Sequence, residues 1–245
     1  LFISIFNRGL GQTDDGYNLL YSLYPETTIG RITNFGLIGE ILLKLSGYNI
    51  YFFRLLGFII LLLSSILVCN SVKSFFENRK KKIIFDNKYI VLIISLAGSL
   101  CYYKYWIISP SYNMYNLIGA LIYISGMCRM GSKEINTKIF ISYLLTSFGL
   151  ILCFISKPPT AFFLSLIFIF WNYAFYYKKF WRNISLLFLI GVSLSFSYII
   201  FFFDSINFFV TDFVIGYELL KTFDPSYGII GLFIFSIKWI VKYII

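Results

Sequence analysis

The sequence predicts an all-α protein: a polytopic transmembrane helix bundle of about seven full spans plus a truncated first span, with interfacial helices in the first outer loop. Three observations predict it. Charged residues make up 13% of the 245-residue chain, whereas soluble domains carry about a quarter, so there is too little polar surface to cover a water-facing globule. Hydrophobic residues make up 59%, with a mean hydropathy of +0.80. They come in long runs such as Leu55–Val68, Ala161–Trp171 and Ile184–Phe203, and apolar runs of this kind read as transmembrane helices rather than core strands. Finally, the basic residues fall into alternate loops, as insertion into a membrane requires.

Taken in order, Leu1–Phe6 reads as the tail of an apolar segment. The full spans are expected at Ile50–Val72, Tyr89–Ile108, Tyr112–Met127, Ile139–Ile155, Ala161–Tyr177, Ile184–Phe203 and Ile229–Ile245. The first residue is Leu rather than Met, and the chain stops inside an apolar run at Tyr243-Ile244-Ile245. Both facts make a fragment of a longer protein the expectation, with 1–245 as a single transmembrane domain: an outer loop over 9–49 and a helix bundle over 50–245.

Twelve of the 21 Lys and Arg residues lie in loops 73–88, 128–138 and 178–183. The intervening loops hold almost none: Ser109–Ser111 has none, Ser156–Thr160 has Lys157, and Asp204–Gly228 has Lys221. Positive residues stay on the cytoplasmic side during insertion, so the three basic loops are expected inside. The net charge of +10 is therefore an orientation signal, and no nucleic-acid partner is expected. Eight of the 11 acidic residues then fall outside: Asp14, Asp15, Glu26, Glu40, Asp204, Asp212, Glu218 and Asp224. They read either as solvated loop charges or as a catalytic or cation-binding face.

Several chemistries are excluded. With no histidine, His triads, His zinc sites and His proton relays are impossible. The cysteines Cys69, Cys101, Cys128 and Cys153 are far apart and form no CxxC pair, so buried, inert thiols are expected. No P-loop or GxGxxG motif is present.

Within 9–49, the stretches Tyr17–Leu23 and Phe35–Leu45 are short, apolar and, in the second, interrupted by Glu40 and Lys44. Such segments lie along a membrane interface. Ahead of them, Asp14-Asp15-Gly16-Tyr17 places two adjacent carboxylates at the bilayer boundary. A carboxylate there accepts a proton from an attacking group or helps to hold a divalent cation. Alternatively, Asp15 simply caps the helix that begins near Tyr17.

Cations near the same boundary are few. Arg54 and Lys104 each sit one turn from the end of a span, and either snorkel to headgroups or meet an anionic substrate. Lys157, in Ser156-Lys157-Pro158-Pro159-Thr160, is fixed in a tight turn by the two prolines. Ser109-Pro110-Ser111-Tyr112-Asn113 forms another turn, whose polar and aromatic groups suit hydrogen bonding to a sugar.

The segments DDGYNLLYSLYPE (14–26) and LLKLSGYNIYFFRLLGFIILL (42–62) resemble the first external loop and second helix of GT-C superfamily membrane glycosyltransferases, in particular the protein O-mannosyltransferase and aminoarabinose-transferase group. The resemblance covers residues 1–72. Beyond it only the rhythm of spans and short outer loops agrees, and no second acidic residue stands in the 109–113 turn. The resemblance implies a multi-pass enzyme, a hexosyl- or pentosyltransferase of the cell envelope, in a bacterial plasma membrane. It would move a sugar from a polyprenyl-phosphate carrier to a lipid, glycan or protein acceptor at the outer face. It implies Asp14 or Asp15 as the catalytic carboxylate, with Tyr17, Arg54, Lys104, Tyr112, Asn113 and Lys157 as substrate-binding candidates. A divalent cation, Mg or Mn, is compatible with it. The competing expectations are a polytopic transporter or flippase of lipid-linked glycans and a non-catalytic membrane subunit. The absence of any detectable repeat and of mid-membrane charges speaks against transport.

Overall fold

The computed structural model describes residues 14–25, 33–77, 88–105, 108–130, 136–203 and 206–223, with the side chains of 14, 88, 104–105, 136–138, 217 and 219–223 outside the described set. The expected segments Leu1–Phe6 and Ile229–Ile245 also lie outside the described residues. Every regular element among the described residues is a helix: α1 Asp14–Leu23, α2 Phe35–Leu45, α3 Ile50–Glu77, α4 Lys88–Tyr105, α5 Tyr112–Arg129, α6 Asn136–Ser156, α7 Pro158–Tyr176, α8 Phe180–Phe202 and α9 Ile206–Phe223. No strand occurs among the described residues.

Three helical stretches among the described residues are long and apolar enough to cross a membrane: Ile50–Glu77, Ile139–Ser156 and Pro158–Phe202. The 28 residues of α3 rise about 42 Å, more than the ~30 Å hydrocarbon core of a bilayer. The helix runs past the expected Val72: Phe75 is buried against Trp171, and Lys73 and Glu77 pair at 3.6 Å. The third stretch combines α7, a short 3₁₀ turn at Tyr177–Lys179 and α8. Asn183 donates to Asn172 at 2.6 Å. Residues eleven apart in a straight helix stand roughly 16 Å apart, so the chain reverses at the turn and α7 and α8 form a hairpin. The expected basic loop over 178–183 is therefore only a tight 3₁₀ turn, and Arg182 belongs to α8.

The chain divides into two compact units, residues 1–25 with 33–197 and residues 26–32 with 198–245. In the first, α5 and α6 form the most extensive pairing among the described helices. Glycine makes it close. A Cβ placed on Gly149 would lie 2.5 Å from the Gly119 carbonyl oxygen and 2.5 Å from the Tyr123 amide nitrogen, and one on Gly126 would meet the Thr146 hydroxyl. Small residues let helix backbones approach where lipid supplies no hydrophobic drive between helices. Serines add cross-links: Ser65 to Ser99 at 3.2 Å joins α3 to α4, and Ser71 to Ser125 at 2.6 Å joins α3 to α5.

The short helices α1 and α2 pack on each other through Gly36 against Tyr21 and Gly39 against Ser22. The α2–α3 turn passes through Gly47 and Tyr48, with φ of 62° and 59°. Asn49 then accepts the amide protons of Tyr51 and Phe52 at 2.9 and 3.3 Å, an N-cap that fixes where α3 starts.

In the second unit, α9 occupies much of what reads in sequence as an outer loop over 204–228. Asp212 and Glu218 are helical residues, not loop charges. The run Ile206–Gly216 is apolar but too short to span, and this is why it reads as loop beside the longer segments. Of the cysteines, Cys128 and Cys153 are buried and Cys69 is half-buried, but Cys101 is exposed, which corrects the expectation of four buried thiols.

Gly149→Ala is expected to destabilise the protein by about 1–3 kcal/mol, because the added methyl meets backbone that cannot move aside. Gly98→Ala on α4, where no atom lies within 4 Å of the added Cβ, is expected to be neutral or stabilising by up to about 1 kcal/mol. Thermal unfolding of the two variants in detergent checks this, and the reverse order would contradict the packing described.

Candidate functional site

The α1 helix begins at Asp14, earlier than the expected Tyr17, so the paired carboxylates occupy its first turn. Acidic side chains are favoured there by the partial positive charge of the helix N-terminus. Asp15 points into the protein and is 6% exposed. Its Oδ2 accepts from Arg54 Nη2 at 2.7 Å, and its Oδ1 accepts from the Ser109 amide at 3.1 Å. Arg54 Nε donates to Ser109 Oγ at 3.0 Å. The three groups form a closed ring joining α1, the first turn of α3 and the turn before α5. Arg54 and Ser109 are both 0% exposed.

Arg54 therefore does not snorkel to headgroups: its guanidinium faces inward onto Asp15. A buried charge persists only if paired and hydrogen-bonded, and here both carboxylate oxygens and two guanidinium nitrogens are engaged. The ring seats the 108–111 turn, where Gly57 lets Pro110 approach α3, a Cβ there lying 2.7 Å from the proline ring. Next to it, Tyr102 and Ser111 hydroxyls share a hydrogen bond at 3.2 Å.

The same end of the bundle carries the remaining candidates. Lys157, the residue between α6 and α7, is exposed, donates to Asn113 Oδ1 at 3.4 Å, and its ammonium lies 5.7 Å from the Tyr112 ring centre. Pro158 stands at the first helical position of α7, where a missing amide proton costs nothing, so the prolines do break α6 from α7. Tyr112 packs at 5.8 Å on Phe35 at the start of α2, and the Asn34 amide donates to the Ile155 carbonyl at 2.9 Å. Thus Arg54 and Asp15 are in direct contact, and Lys157, Tyr112 and Asn113 form a second cluster on the adjoining helix ends. Tyr17 is exposed and stacks on Tyr21 at 6.1 Å. The side chains of Asp14 and Lys104 lie outside the described residues, as do Asp204 and Asp224. Among the described residues no three His, Cys, Asp or Glu side chains gather as a metal cluster.

Ser109 and Tyr102 have no individual role that the sequence alone reveals. Ser109 lies in a turn of obvious polarity, but its contact with Asp15 crosses 94 residues, and no local pattern encodes it.

From this end, α6, α7 and α8 border an open apolar cleft of about 580 Å³, lined by residues including Phe154, Pro158, Phe162, Phe188, Gly191 and Ser195. A polar chain lies beyond its far end: Tyr143 donates to Asn183 at 2.5 Å, Asn183 to Asn172 at 2.6 Å, and Asn172 to the Phe168 carbonyl at 3.0 Å.

Comparison with known proteins gives no match, whether to protein-family models, to curated proteins or to solved structures.

Removing one partner of a buried ion pair costs about 3–5 kcal/mol, because the other charge is left unpaired. Asp15→Asn and Arg54→Gln are each expected to destabilise on that scale. The double variant is expected to lose clearly less than their sum. A thermodynamic cycle from unfolding in detergent checks the coupling, and additive losses would mean the pair does not hold the three segments together.

Proposed function

We propose that the protein is a GT-C-like membrane glycosyltransferase that moves a sugar from a polyprenyl-phosphate carrier to a lipid, glycan or protein acceptor. In this reading the helices complete a bundle of about seven full spans, with basic stretches 73–88, 128–138 and 178–183 cytoplasmic and the Arg54 end facing outward, in a bacterial plasma membrane. The observation that carries it is the buried Asp15–Arg54–Ser109 ring. It holds the Asp14-Asp15 turn at the end of the bundle that also bears Lys157, Tyr112 and Asn113.

The reaction is one displacement. The acceptor oxygen attacks the anomeric carbon, the bond from that carbon to the carrier phosphate breaks, and the phosphate leaves with the electron pair. The acceptor proton goes to a carboxylate. Both oxygens of Asp15 are engaged by Arg54 and Ser109, so Asp15 serves as the positioning residue and Asp14 as the base. Arg54 acts through Asp15. Lys157 is the exposed cation for the departing phosphate, with Tyr112, Asn113, Tyr17 and Lys104 as sugar and headgroup contacts. A divalent cation, if required, would assist at the same phosphate.

Asp14→Asn is expected to lower glycosyl transfer by roughly 10²–10⁴-fold, the usual contribution of a general base, with a stability loss of at most about 1 kcal/mol. Asp15→Asn is expected to lower both. Assay of the full-length protein with polyprenyl-phosphate sugars decides the matter, and full activity in both variants would end the assignment. A second reading, a transporter or flippase of lipid-linked glycans, is favoured by the apolar cleft between α6, α7 and α8. It predicts lipid movement across vesicles with no glycosylated product.

A further inference from the structure

Arg129 closes α5 at the end of the bundle opposite Arg54, and the two arginines are met in different ways. Arg129 Nε donates to Ser71 Oγ at 2.7 Å. Ser71 gives its own proton to the Leu67 carbonyl at 2.7 Å and shares a bond with Ser125 at 2.6 Å. Its oxygen is therefore an acceptor fixed between α3 and α5, and it pins one side of the guanidinium to the bundle. The two Nη nitrogens form the fork that grips a carboxylate or phosphate through parallel hydrogen bonds. Among the described residues no side chain accepts from them, and Asp15, Glu40 and Glu77 pair with Arg54, Lys44 and Lys73 instead. Arg129 is half-buried, and donors in such a place cost free energy unless they are met. The dipole of α5 favours a cation in its last turn, but that leaves the donors themselves without acceptors.

A second donor close by is in the same position. Phe75, one turn beyond Ser71 on α3, packs on Trp171 of α7 with ring centres 5.0 Å apart, and the Trp171 indole nitrogen is buried without a hydrogen-bond partner. Unmet donors thus collect where α3, α5 and α7 come together, and they call for a group rich in acceptors and negative in charge. Depth identifies that group. Between Arg54 and Ser71, α3 rises about 26 Å, close to the ~30 Å hydrocarbon core of a bilayer, and α3 is long and apolar enough to cross one. With Arg54 at one boundary, Arg129 stands at the other, at the level of the phospholipid phosphates.

We propose that Arg129 binds the phosphate of an anionic glycerophospholipid in the leaflet at this end of the bundle. The guanidinium fork takes two phosphate oxygens, and Ser71 and Ser125 hold the fork in place. The site lies at the opposite end from Asp15 and does not depend on whether the protein transfers sugar.

The test is modification of the unsubstituted full-length protein in detergent by phenylglyoxal, an arginine reagent, with the adducts mapped by peptide mass spectrometry. Without lipid, Arg129 is expected to react while Arg54, buried on Asp15, stays intact. Phosphatidylglycerol is expected to protect Arg129 roughly fivefold better than phosphatidylcholine of the same chains, the worth of one interfacial cation. Inorganic phosphate separates a soluble anion from a lipid headgroup and is expected to protect weakly. Native mass spectrometry with the same two lipids adds the variants. Arg129→Gln is expected to reduce the preference for phosphatidylglycerol roughly fivefold, and Arg129→Lys, which keeps the charge without the fork, is expected to fall between. No reaction at Arg129 without lipid, equal protection by the two lipids, equal protection by inorganic phosphate, or an unchanged preference in Arg129→Gln would each overturn the proposal.

Discussion

The guanidinium of Arg54 is fully buried, one turn into the longest of the described helices. Such a group is tolerated only if its charge and its donors are met, and the carboxylate that meets it comes from a separate short helix. That requirement fixes α1 against α3, and through the Ser109 amide and hydroxyl it also fixes the turn between α4 and α5. The neighbouring polar residues Ser111, Tyr112 and Asn113 inherit their positions from that turn. An apolar pair of similar volume would pack as well or better. The pair and Ser109 hold α1, the start of α3 and the 108–111 turn in one register at this end of the bundle.

Below the ring the bundle depends on close approach rather than on charge. Gly119, Gly126 and Gly149 bring α5 and α6 together, and serine hydroxyls on α3, α4 and α5 make short bonds across the interfaces. The pairing loosens beyond α7. There α8 is tied to its neighbours by buried amides near one end and leaves the apolar cleft along the rest. Tight packing on one side and an open cleft on the other follow from the same sequence: small residues stand on the α5–α6 faces, and phenylalanines stand on α7 and α8.

Much of the architecture is legible in the sequence, because helix length and hydropathy are local quantities. The all-helical class, the apolar stretches and the two short helices, expected over 17–23 and 35–45, follow from periodicity and the few charges, although the first starts three residues earlier at Asp14. Boundaries fail where local rules compete. The α3 helix continues past the expected Val72 through Phe75 and Phe76 to Glu77, the reversal at Tyr177–Lys179 needs no loop, and α9 forms where two acidic residues interrupt an apolar run. The site is only half legible. Asp15 and Arg54 stand out as ionisable residues in apolar surroundings, yet their contact spans 39 residues and their link to Ser109 spans 55 and 94. No spacing rule carries that information. Lys157 stands out because the two prolines that follow it stop α6 and start α7.

The central claim is that Asp15 is sealed inside the protein by Arg54 and Ser109. Modification of the detergent-solubilised full-length protein with a water-soluble carbodiimide and an amine, mapped by peptide mass spectrometry, tests it directly. Glu77, whose side chain is 51% exposed, should be modified readily, while Asp15 stays protected until the protein unfolds. Modification of Asp15 at the rate of Glu77 in the folded protein would contradict the account.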